Sequence, residues 1–109
     1  MQDHDRPSLA VVVDTEEEFD WSAPFDRNAT SVGHMRRIGR LQAVCEAWGL
    51  RPTYVIDHPI ATQAPGTEAL TPLVREGRAL IGAHLHPWVS PPHGSGRTAA
   101  CSPSPAPAR

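Results

Sequence analysis

Three short apolar runs, Ser8 to Val13, Pro52 to Ile56 and Ala79 to Ala83, alternate with stretches whose apolar residues recur at helical spacing. No other feature constrains the fold as much. The first run is apolar from Leu9 to Val13 with no polar alternation, which suits a strand buried on both faces of a parallel sheet. From about Thr30 to Trp48, Met35, Ile38, Leu41, Cys45 and Trp48 recur at three- and four-residue steps, with Arg36, Arg37, Arg40 and Glu46 between them. That pattern predicts an amphipathic helix, capped by Thr30 or Ser31 and ended by Gly49. The second run stops at Asp57-His58-Pro59, where the proline biases His58 towards an extended backbone. A loop from Thr62 to Gly66 then leads to a second helix, roughly Thr67 to Glu76, with Leu70, Leu73 and Val74 on one face and Gly77 as its stop. Pro72 marks a start or a kink within it. The order βαβαβ implies an α/β fold with a parallel sheet and right-handed crossovers.

At 109 residues the chain is at most one small domain. Residues 1–7 read as a flexible start, 8–92 as the folded part, and 93–109 as a disordered tail, because Ser, Pro, Gly and Ala dominate there and leave little to bury. The abrupt onset of that tail would fit a frameshift or a premature end. A formal net charge of -2 provides no electrostatic footprint for nucleic acid or an anionic membrane, so neither is expected as a partner. The start lacks a basic n-region and Leu9 to Val13 is too short for a signal-peptide core or a membrane span, so the expected location is cytoplasmic. Cys45 falls in a helical pattern and Cys101 in the tail, which suits neither a redox pair nor a zinc pair; Cys45 reads as a small core residue.

The ends of the apolar runs carry the chemistry. Val11-Val12-Val13 passes into Asp14-Thr15-Glu16-Glu17-Glu18, and Ile81-Gly82-Ala83 into His84-Leu85-His86-Pro87-Trp88. In parallel α/β sheets the side chains beyond the carboxyl ends of the strands share one face, and that face carries the active site. Strands one and three lie two inter-strand spacings apart, roughly 10 Å, close enough for Asp14, Glu16, His84 and His86 to converge on one ion. Two imidazoles and a carboxylate with a position left open form a catalytic zinc arrangement, which makes a divalent metal, zinc first, the expected cofactor. A second carboxylate beside it can act as a base. Taken alone, the Glu16 to Glu18 triplet would be a solvated loop, and His84 and His86 ordinary strand-end histidines; their joint position at the ends of strands in one sheet favours a shared site.

Asp57 and His58, after the second run, are possible additional site residues, although Asp and His before proline also suit a plain turn. Trp21 and Trp88, with Phe19 and Phe25, could line a sugar-binding mouth or equally cover the end of the sheet as core. Arg36, Arg37 and Arg40 read as a solvated helix face.

The strand followed by Asp14-Thr15-Glu16, together with Ile81-Gly82-Ala83-His84-Leu85-His86-Pro87-Trp88, resembles the polysaccharide deacetylases, metal-dependent carbohydrate esterases that include chitooligosaccharide and peptidoglycan deacetylases. The likeness spans about Leu9 to Pro92. It implies a distorted (β/α) barrel, an acetylated carbohydrate as substrate, Asp14 as general base and Glu16 as a metal ligand, with Glu17 the alternative ligand. The family's second motif places its two histidines four positions apart, whereas Trp88 stands four positions after His84, so His86 takes the ligand's place. The family barrel is about twice as long, and its later segments supply an arginine, further acids and a late histidine that acts as general acid; none can be placed in Ser90 to Arg109. The resemblance therefore implies an N-terminal portion, inactive alone, with an open sheet edge prone to self-association. The competing expectation is a metal-binding or truncated protein without turnover.

Overall fold

A computed structural model describes residues 6–93. The chain runs β1 (Val12–Thr15), a 3-10 turn at Gly33–Arg37, α1 (Ile38–Ala47), β2 (Thr53–Ile56), α2 (His58–Thr62), α3 (Ala64–Arg75), β3 (Leu80–Ala83) and a 3-10 turn at Pro87–Val89. The three strands form one open parallel sheet in the order β1-β2-β3. Val13, Tyr54 and Ile81 are level across it, as are Asp14, Val55 and Gly82. The sequence order of elements thus becomes a small α/β fold.

Side chains alternate between the two faces of the sheet. The face carrying Val13, Tyr54 and Ile56 meets the helical layer, where Tyr54, Met35 and Ile60 are fully buried and Val32, Leu70, Leu73 and Ala79 complete the core. Among the described residues no element covers the opposite face, where Val12 is 59% and Leu80 46% exposed. Strand one is therefore buried on one face, and it runs Val12–Thr15 rather than Ser8 to Val13, because pairing with β2 begins only where Val12 meets Thr53. Asp14 consequently lies within β1 and not after it.

The first helix also departs from its expected form. A 3-10 turn precedes α1, and neither Thr30 nor Ser31 caps it; the N-cap of that turn is Val32, which has no side-chain cap bond. The buried stripe passes through Met35, Gln42 and Cys45, while Leu41 and Trp48 are exposed. Gln42 belongs inside because its amide is fully used: Oε1 accepts from Tyr54 Oη at 2.7 Å, and Nε2 donates to Glu46 Oε2 at 2.6 Å and to the Arg78 carbonyl at 3.1 Å. Gly49 ends the helix at φ 67°, and Gly77 ends α3 at φ 72°, as the stop signals predict.

Between β2 and β3 the chain is more helical than its prolines suggest. Asp57 caps α2 by accepting the Ile60 amide, so His58 starts a helix instead of an extended turn, with Pro59 in the tolerant first turn. Helix α3 begins at Ala64, earlier than Thr67, with Pro65 again in the first turn, and it continues through Pro72. Gly66 permits α2 and α3 to meet: a Cβ there would lie 2.1 Å from the Ile60 carbonyl oxygen. Among the described residues no helix is long and apolar enough to cross a membrane. The expected tail lies outside the described residues except for His93, as do residues 1–5 of the expected flexible start.

Candidate metal centre

The strand ends place their polar residues on one rim. Extending the register by one step past Thr15, Ile56 and Ala83 makes Glu16, Asp57 and His84 level. Glu16 Oε2 lies 3.0 Å from His86 Nε2 and 3.5 Å from His84 Nε2. All three candidate donor atoms fall within 4.8 Å of one another. Ligands about 2.0–2.1 Å from a tetrahedral zinc are separated by about 3.3 Å, so these two separations suit a shared ion. Glu16 and His84 are 22% and 23% exposed, which leaves one side of the group open. The donor set of two imidazoles and one carboxylate could thus hold a metal ion with a position left free.

Behind this group lies a second, enclosed one. Glu17 and Asp57 have fully buried side chains, and His86 Nδ1 lies 2.9 and 3.1 Å from the two Glu17 oxygens and 3.5 Å from Asp57 Oδ2. Asp57 accepts the Glu17 amide at 3.4 Å as well as the Ile60 amide at 3.3 Å, tying the segment after β1 to the start of α2. Burial raises the Glu17 carboxyl to about 7, and the neighbouring Asp57 carboxyl adds to the rise. Glu17, Asp57 and His86 form the second set of donors close enough together for an ion.

Asp14 stands on the uncovered sheet face with its side chain 74% exposed and Oδ1 3.8 Å from His84 Nδ1. Gly82, level with it across Val55, keeps this floor low: a Cβ at Gly82 would meet Val55 Cγ1 at 2.8 Å. The sequence reading missed Gly82, though a glycine within a strand run is itself a signal of close approach. His58 is separate from both groups. It is exposed and lines a pocket of about 240 Å³ with Arg27, Thr30 and His93.

The aromatic residues form a stack beside the imidazoles. Trp88 lies on His86 with centroids 4.5 Å apart and planes 19° apart, and Phe25 lies on Trp88 at 4.1 Å and 3°. Phe19 packs against both, and Trp21 meets Phe19 edge-on at 4.6 Å. Trp88 Nε1 is buried without a hydrogen-bond partner. Trp21 is 55% exposed, near a concave region of about 500 Å³ lined by Phe19, Asp20, Phe25 and Asp26. Of the two tryptophans expected at the site, Trp88 backs an imidazole and Trp21 faces outward. Set against family models, curated proteins and solved structures, the chain matches none of them.

Proposed function

We propose that this chain is a metal-dependent hydrolase of the polysaccharide deacetylase type, built on part of a (β/α) barrel and removing acetyl groups from a sugar or polysaccharide. The observation that supports this reading best is the open group of Glu16, His84 and His86 at the carboxyl ends of β1 and β3. These three residues would hold the ion, zinc by preference, since mixed imidazole and carboxylate donors suit it. A zinc ion bound there supplies Lewis acidity towards an acyl carbonyl and an attacking water. Asp14 is the base: it projects beside His84 from the uncovered face, where it can take the proton of that water. Trp21, exposed at the rim, offers an apolar face for a pyranose ring.

A second reading, metal binding without turnover, is favoured by the same exposure of Asp14. At 74% exposed it has no wall to exclude bulk water or to fix its geometry. Two measurements separate these readings. Calorimetry should detect zinc binding that His84→Ala abolishes, and equal affinity in both proteins would remove the metal site altogether. Acetate release from acetylated chitooligosaccharide or acetylated xylan, lost in Asp14→Asn, supports the hydrolase; zinc binding with no acetate release, the outcome that the resemblance implies for this chain alone, leaves metal binding without turnover as its own activity.

A further inference from the structure

His86 is held on every side. Its ring plane is set by Trp88, its Nε2 edge meets Glu16 at 3.0 Å, and its Nδ1 edge meets both oxygens of Glu17 within 3.1 Å. A neutral imidazole has one N–H and one lone pair, so whichever nitrogen faces the stronger fixed acceptor keeps the proton and the other is free to ligate. Glu17 faces Nδ1 with two oxygens, and Asp57 Oδ2 lies 3.5 Å from the same nitrogen. We infer that Glu17, braced by Asp57, is a positioning residue that holds His86 as the Nδ1–H tautomer, so that Nε2 is presented to a metal ion together with Glu16 and His84. This rests on the metal-binding part of the function proposed above.

The alternative, that Glu17 is itself a ligand, conflicts with accessibility. Glu17 and Asp57 have no exposed side-chain surface, so an ion between them and Nδ1 would have neither an entry path nor an open position. An ion at Nε2 has both, through the partly exposed Glu16 and His84. Asp57 also serves the backbone, since its two oxygens accept the Ile60 and Glu17 amides. Those two bonds draw the residue after β2 and the segment after β1 together, and the Glu17 side chain then reaches His86 beyond β3. All three strand ends thus meet at one imidazole edge.

The test begins with the metal-free, 15N-labelled 109-residue chain, in which long-range 1H–15N correlation reads the tautomer of His86. The expected result is Nδ1–H, and in the zinc-loaded chain a shift of the Nε2 resonance that marks it as the bound nitrogen. Loss of an outer partner of a ligating histidine typically weakens metal binding about 10- to 100-fold, so Glu17→Ala should lose that much zinc affinity. Glu17→Gln, which keeps an acceptor oxygen facing Nδ1, should recover most of it. A purely structural role for Glu17 would not fix the tautomer or be rescued in this way. An Nε2–H tautomer in the metal-free wild type, zinc bound through Nδ1, or unchanged affinity in Glu17→Ala would each overturn the inference while leaving the metal site in place. If the wild-type chain binds no zinc at all, the proposed function falls and takes this inference with it.

Discussion

Single residues in this chain carry unequal weight, and burial decides which matter. The Tyr54 hydroxyl is buried and donates to Gln42 Oε1 at 2.7 Å. Removing it leaves a buried acceptor unmet, which costs about 1–3 kcal/mol. Tyr54→Phe should therefore lower the unfolding free energy read from a urea titration by that much, although the aromatic ring is retained. Glu46 behaves differently because it is exposed. Arg78 holds its carboxyl below the usual carboxylate range, with the Gln42 amide assisting. A carboxyl whose folded pKa is depressed adds stability above its unfolded value, near 4.5, and that contribution is lost as pH falls through the folded pKa. Glu46→Gln should then lower stability slightly in the neutral region and flatten the acid limb of a stability–pH curve below about pH 4.5, where the two proteins converge. An equally steep acid limb in both proteins would show that water screens the pair completely.

At the scale of elements, the strands and the helix stops were legible because they depend on local chemistry. Short apolar runs marked the strands to within a few residues, and Gly49 and Gly77 marked turns that require positive φ. The faces were less legible. Periodicity assigned Leu41 and Trp48 to the core, but a glutamine was buried instead, because Tyr54 Oη and the Arg78 carbonyl supply partners from β2 and from the residue two before β3. No local pattern reveals such long-range satisfaction. The candidate site divides in the same way: the residues were visible at the strand ends, but which face of His86 meets Glu16 and which meets Glu17 depends on register and packing. Pro72 offers an element-scale test. It is exposed, lies inside α3 and cannot donate to the carbonyl of Glu68. An interior proline costs about 3 kcal/mol or more in the folded state, offset by about 0.4–1 kcal/mol of reduced unfolded-state entropy. Pro72→Ala should raise the unfolding free energy read from a urea titration by about 2 kcal/mol or more, and a fall would mean that α3 needs the proline's fixed backbone there.

Taken as a whole, the molecule has a covered and an uncovered side. Among the described residues helices pack on one face of the sheet only, β1 and β3 are both edge strands, and Val12 and Leu80 stand level with each other on the open face. A three-stranded parallel sheet with an apolar open face is unusual, because parallel sheets are normally covered on both sides. Unpaired strand edges also template association between chains. The purified chain is therefore expected to self-associate with increasing concentration. Val12→Lys and Leu80→Lys each put a charge on the open face without disturbing the buried core, since neither wild-type residue belongs to it. Together they should shift sedimentation profiles from mixed larger species towards monomer, with the circular dichroism spectrum and zinc affinity unchanged. A monomeric wild type at high concentration would show that its edges are too short to pair. Unchanged association in the double variant would place the contact elsewhere, with the exposed Leu41, Val44 and Trp48 of α1 and its C-cap the next surface to charge.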